Sequence, residues 1–300
     1  MTRSPSNDAD PIVRCLRALV QHSPDLKEAA GLYEVLLPLL RDADLRVAPV
    51  LILPDQVHKK MATGMPLLHD VELEIDDKAL QELMLLLVAA LESTGENNRH
   101  QYCRIRQALE ANRFNTSTLL PYVTANEKDA FRAATSSLEL EPDLLWALMQ
   151  NVLKPAWRTW CRQLTCLVDV TTQWNKGFCF VCGAGAILGE LQENNLVKHL
   201  RCGQCGADWP FRRLQCLYCG NEDHHTLGFL HAEPEQEKMR VEVCEKCRGY
   251  LKTIVSFAPA PPEMLAVSDL ATLHLDYIAQ ERGYGRPLFK DWQSTAAINR

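Results

Sequence analysis

Eight of the twelve cysteines stand in four Cys-x-x-Cys pairs: Cys179/Cys182, Cys202/Cys205, Cys216/Cys219 and Cys244/Cys247. Two thiolates separated by two residues can point at one centre, so each pair is half of a tetrahedral four-thiolate site and four pairs complete two sites. Gly183, Gly206 and Gly220 follow three of the pairs. A metal knuckle turns backbone N–H groups toward the sulfurs, and the residue after its second cysteine often needs φ > 0, which glycine adopts freely. The fourth pair is followed by Arg248, with Gly249 one later, which predicts an altered turn.

Alternating segments flank polar turns between Cys182 and Cys202 (Glu193-Asn194-Asn195) and between Cys219 and Cys244 (Thr226–His231, a turn at Glu233–Glu237, then Met239–Val243). Each reads as a hairpin returning one knuckle to the next. Sequential pairing follows, with site one as Cys179, Cys182, Cys202 and Cys205 and site two as Cys216, Cys219, Cys244 and Cys247. An interleaved pairing is the alternative. Disulfides compete with metal for these residues, but Met1–Asp10 is polar with Pro5 and carries no secretion signal. The expectation is therefore a cytoplasmic chain whose thiols stay reduced. Four thiolates leave no position open for water or substrate, so the sites read as structural or electron-transferring, and zinc and a rubredoxin-type iron suit them equally.

The elements that position these residues are mostly helical before the cysteines. Pro11–Val20, Leu32–Leu40 and Lys78–Leu91 are candidate helices. A longer one starts at Pro142 and carries Leu145, Leu148, Met149, Val152, Trp160, Leu164 and Leu167, with a kink or break at Pro155. Cys15, Cys103, Cys161 and Cys166 are expected to be small buried apolar residues. After the cysteines, Ala258–Pro262 reads as an extended linker. Ser268 or Asp269 then caps a helix running to about Glu281, ended by Gly283, with Leu270, Leu273, His274, Tyr277 and Ile278 on one face. The fold class expected is α+β: a helical domain over 1–170, a first four-cysteine ribbon over 171–212, a second over 213–257, and a Pro-rich linker with a C-terminal helix over 258–300 that packs back on the body.

Composition sets bounds. The chain is 47% hydrophobic with a formal charge of −6, enough apolar content for a sizeable core. The cysteine region 176–252 holds ten Lys/Arg and ten Asp/Glu, a difference of zero. Ribbons that grip nucleic acid usually carry a basic surplus, so nucleic acid is not expected as a partner. The longest apolar run, Leu83–Leu91, is too short to span a membrane. No phosphate loop, nucleophile elbow or His-Glu-x-x-His appears, and the chain is not read as an enzyme. His224-His225 follows a knuckle and could in principle ligate, but eight thiolates already complete two sites; His199 reads as a strand surface residue. Phe180, Trp209, Phe211 and Tyr218 are candidates for contact with a partner protein, against the plainer reading that they fill small ribbon cores.

Cys-Phe-Val-Cys-Gly, Cys-Gly-Gln-Cys-Gly, Cys-Leu-Tyr-Cys-Gly and Cys-Glu-Lys-Cys-Arg-Gly-Tyr-Leu-Lys, followed by the Asp269-Leu-Ala-Thr-Leu-His-Leu-Asp276 segment, resemble the FdhE family, most strongly over 178–283. That resemblance implies a bacterial formate dehydrogenase accessory protein that recognises the enzyme's catalytic subunit in the cytoplasm, with rubredoxin-like sites that favour iron over zinc. The competing functions are a rubredoxin-like electron carrier and a nucleic-acid-binding ribbon.

Overall fold

The computed structural model describes residues 9–94, 98–169, 174–192, 197–232 and 238–287. These fall into two compact units, one formed by 1–48 with 73–159 and the other by 49–72 with 160–300.

The first unit is helical. α1 (Pro11–His22) starts where Asp10 accepts the Ile12 N–H at 2.9 Å and Pro11 needs no amide partner. α2 spans Lys27–Asp42, and α4 (Asp77–Thr94) buries Leu80, Leu83, Met84, Leu87, Val88 and Leu91, a 3.6-residue stripe. α5 (Arg99–Glu110), α6 (Thr116–Thr124), α7 (Lys128–Thr135) and α8 (Pro142–Val152) complete it, and α4 packs against α2, α5, α6 and α8. The expected break at Pro155 is present: α8 ends at Val152 and α9 (Lys154–Thr165) restarts with the proline in its first turn. Among the described residues no helix is long and apolar enough to cross a membrane.

The second unit centres on a six-stranded sheet in the order β3-β2-β1-β6-β5-β4. The strands are β1 (Ala186–Gln192), β2 (Val197–Cys202), β3 (Asp208–Pro210), β4 (Leu227–Leu230), β5 (Met239–Cys244) and β6 (Tyr250–Ser256). Neighbours are antiparallel except β1 and β6, which run parallel with Gly189 opposite Thr253. That parallel seam joins the two cysteine-bearing segments, so they share one sheet. Both expected hairpins form, the first with a register shift between Ala186 and Leu188; their turns at 193–195 and 233–237 lie outside the described residues.

α3 (Pro54–Thr63), which lies inside the stretch read as the helical half, belongs to this unit. The residues after it bind a knuckle, with the Leu67 and Leu68 amides donating to the Phe180 and Val181 carbonyls at 2.8 and 2.9 Å.

The C-terminal segment differs from expectation in two ways. It forms two helices, α10 (Met264–Ala271) and α11 (Leu273–Glu281), and Ser268 and Asp269 lie inside α10 instead of capping a helix. Asp269 is drawn into an ion cluster with buried Lys252, and Thr272 folds its hydroxyl back onto the Ser268 carbonyl at 2.8 Å, breaking the helix there. The restart resets the helical phase, so Leu275 and Ala279 face inward with Val241, Val243, Tyr250 and Tyr284, while Tyr277 is 62% exposed. Gly283, at φ +77°, ends α11. Both helices pack on the sheet, α10 against β1 and α11 against β5 and β6. The linker 258–262 is also tied to that sheet: Arg201, ion-paired with buried Glu190 at 2.6 Å, donates to the Ala260 carbonyl at 2.6 Å.

Candidate metal centres

All four knuckles repeat one backbone pattern. The N–H of each first cysteine donates to the carbonyl five residues on: Cys179 to Ala184, Cys202 to Ala207, Cys216 to Asn221 and Cys244 to Gly249, at 2.8–2.9 Å. Gly183, Gly206 and Gly220 return their amides to the first cysteine's carbonyl at 2.9–3.0 Å and hold φ of +78°, +79° and +69°. Arg248 takes the same left-handed conformation, φ +55°, at a cost of about 1–2 kcal/mol for a residue with a Cβ. Its guanidinium lies 3.9 Å from the Tyr284 ring and 2.5 Å from Glu245, and donates to the Arg282 carbonyl. Gly249 is needed for a different reason: a Cβ there would lie 2.5 Å from the Tyr218 ring.

The sulfurs gather in the sequential pairing. Cys179, Cys182, Cys202 and Cys205 form one group and Cys216, Cys219, Cys244 and Cys247 the other, each with all ligand atoms within 4.8 Å of one another. Sulfurs from opposite knuckles approach most closely: Cys179 to Cys205 and Cys182 to Cys202 at 3.5 Å, Cys216 to Cys247 at 3.6 Å and Cys219 to Cys244 at 3.8 Å. A tetrahedron with metal–sulfur bonds of about 2.3 Å has edges of about 3.8 Å, so the cages fit a zinc- or iron-sized ion. All eight cysteines are free thiols.

Electrostatics point the same way. Burial pushes the Cys179 and Cys205 thiols well above their ordinary range. Cys202 is pulled well below it by the thiols of Cys179, Cys182 and Cys205 and by the Cys205 amide. In site two, burial raises Cys216 strongly and takes Cys247 up to about 11. Four sulfurs in one cage cannot all ionise beside each other; a divalent cation reverses that repulsion. Site one is shielded, whereas site two exposes Cys219.

The two cages sit on one framework. Gly177, just before the first knuckle, packs so closely on the third that a Cβ would lie 2.2 Å from the Leu217 carbonyl oxygen. Trp209 donates its indole N–H to the Lys176 carbonyl at 3.1 Å, and Trp174 to that of Phe178 at 2.7 Å. Phe180, Trp209 and Phe211 are buried, and Tyr218 donates its hydroxyl to the Tyr250 carbonyl, so these aromatics build the interior. Exposed apolar side chains lie elsewhere in this unit, at Leu214, Phe229, Phe257 and Tyr277. His199 Nδ1 is hydrogen-bonded to the Asp208 carboxylate on the neighbouring strand.

Of the four cysteines outside the pairs, Cys15 and Cys166 are exposed and Cys103 is half-buried, contrary to expectation: a thiol's small area lets helix phase decide its burial. Cys161 is buried against Cys205, whose sulfur holds its thiol below the ordinary range. No spacing rule links position 161 to a knuckle, because the contact depends on how α9 packs.

Similarity to known proteins follows this architecture. Residues 214–290 match the family described as FdhE, C-terminal domain. A "Protein FdhE homolog" of Stutzerimonas stutzeri is 32% identical over 149 residues, 48% of this chain and 47% of that protein. One from Pseudomonas aeruginosa is 28% identical over 165 residues, 52% of each. The chain thus spans about half the length of the curated relatives it matches. The crystal structure of the FdhE protein from Pseudomonas aeruginosa superposes with a TM-score of 0.59 at 23% identity, covering 96% of both chains, which shows a shared fold. In sequence and in fold this chain resembles the FdhE proteins, and its residues 214–290 match the family model of the FdhE C-terminal domain.

Proposed function

We propose that the chain is a formate dehydrogenase accessory protein that acts in the cytoplasm by binding the enzyme's catalytic subunit, without catalysing a reaction itself. Cys179, Cys182, Cys202 and Cys205 hold one metal ion and Cys216, Cys219, Cys244 and Cys247 a second, with iron favoured over zinc by the family likeness. The observation that carries this reading is the pair of four-sulfur cages on one sheet, within and beside the FdhE C-terminal domain. Saturated by thiolates, each ion has no position for a substrate, and the role left to it is to hold the knuckles rigid or to pass an electron. What such a framework offers a partner is surface.

The test is co-purification of the tagged full chain with the formate dehydrogenase catalytic subunit under anaerobic conditions, with metal analysis of the same sample. Recovery of the subunit with two bound ions supports the proposal. A metal-loaded chain that fails to retain the subunit, or one that oxidises formate alone, contradicts it.

A further inference from the structure

The turn between the third knuckle and β4 carries three side chains that neither cage uses. Asp223, His224 and His225 are exposed, and their ligand atoms lie within 4.8 Å of one another. The two imidazole centroids are 3.9 Å apart with planes inclined by 39°. Among the described residues neither ring has a hydrogen-bond partner. Nearby Glu222 is engaged by Arg212 at 2.8 Å and stays outside the group.

The backbone bearing these groups is held in place. Asn221 donates its amide to the Cys244 sulfur at 3.6 Å and to the Thr226 hydroxyl at 2.8 Å, while its carbonyl accepts the Cys216 N–H at 2.8 Å. Its side-chain oxygen accepts the Asp223 N–H at 3.3 Å, and Asp223 Oδ1 accepts the His225 N–H at 3.0 Å. The turn is thus fastened to two cysteines of site two, and little loop entropy remains to be lost when its side chains converge. Asp223 keeps its second carboxylate oxygen for a cation. Two neutral imidazoles and one carboxylate are the donor set of borderline divalent ions such as Fe²⁺, Co²⁺, Ni²⁺ and Zn²⁺. Ligation asks the three side chains to turn so that their donors lie about 2.0–2.2 Å from one ion. Three ligands leave positions for water, so the ion would exchange, unlike one sealed by four thiolates. A cage of four thiolates around a divalent ion also carries two net negative charges, which favour a second cation nearby.

We propose that Asp223, His224 and His225 form a third, open and exchangeable site for a divalent transition-metal ion on the rim of the second cysteine centre.

The test uses the full chain with both cages loaded with zinc and dialysed, titrated with Co²⁺ at pH 7.5, where imidazoles are largely neutral. The expected result is one further equivalent of cobalt, with weak visible absorption of nitrogen and oxygen ligation and no thiolate-to-cobalt charge-transfer band. His224→Ala/His225→Ala should weaken that binding by at least about 100-fold while zinc stays at two per chain, since loss of two of three ligands exceeds the 10–100-fold cost of losing a residue that only hydrogen-bonds a ligand. All three residues are exposed, so the variant keeps its fold. No further equivalent, a charge-transfer band from cobalt entering a cage, or undiminished binding by the double variant would each overturn the proposal.

Discussion

Lys252 is fully buried on β6, with Nζ 2.6 Å from Asp276 Oδ2 and 2.7 Å from Asp269 Oδ1, and it donates to the Asp269 carbonyl at 2.8 Å. Asp276 also accepts from the Tyr250 hydroxyl at 2.7 Å and from Arg286 at 2.9 Å. This cluster fastens α10 and α11 to the sheet. Asp276→Asn keeps the volume but removes one of the two carboxylates facing a buried ammonium. Stripping a buried charge of its partner costs about 3–5 kcal/mol. Asp269 remains, so about 2–3 kcal/mol is expected here. Lys252→Met removes the fully buried cation and leaves Asp269 and Asp276, whose side chains are 31% and 12% exposed and keep Arg286 at 3.7 and 2.9 Å, so the usual cost of breaking a buried pair falls to about 1–2 kcal/mol. The asymmetry is the prediction: Asp276→Asn should destabilise more than Lys252→Met. Hydrogen exchange of the α11 amides in the metal-loaded chain measures it locally, with protection falling roughly 30- to 150-fold in Asp276→Asn, since about 1.4 kcal/mol is tenfold. Equal losses, or a larger loss in Lys252→Met, would refute the reasoning.

Gly177→Ala drives a methyl group against the Leu217 carbonyl, and backbone cannot yield cheaply, so a cost at or above the usual range of about 1–3 kcal/mol for overpacking is expected. Chelator challenge should then extract metal faster from both cages; unchanged release would show that the contact does not couple them. Acid is the next perturbation. Burial opposes ionisation of Glu242, but Lys198 at 2.5 Å and Arg240 outweigh it, so its carboxyl titrates below the ordinary 4.5. A depressed folded-state value means stability that is present above that pH and is lost as pH falls below it. Glu242→Gln should therefore be less stable at pH 7, with the gap to the parent closing below about pH 4.5, read by thermal unfolding; a gap that widens in acid would contradict the sign.

The cages were legible because Cys-x-x-Cys spacing is a local rule, and three following glycines marked the left-handed turns. Arg248 was legible as a departure but not in its solution, since its contacts with Tyr284 and Arg282 join segments more than thirty residues apart. Residues 49–72 read as part of the helical half because helical periodicity reports an amphipathic face, not the partner that covers it. The C-terminal face was assigned wrongly for a related reason: a break at Thr272 shifts the phase, and the residue that removes Asp269 from capping duty is Lys252 on a strand. The aromatics beside the knuckles filled the interior because ribbons this small have few other side chains to exclude water.

Each cage is proposed to bind its own ion. Metal content per chain after exhaustive dialysis tests it, in the parent, in Cys202→Ser and in Cys219→Ser. Two ions are expected in the parent and one in each variant, the surviving ion held by the untouched cage. Fewer than two in the parent, or two retained in either variant, would contradict it.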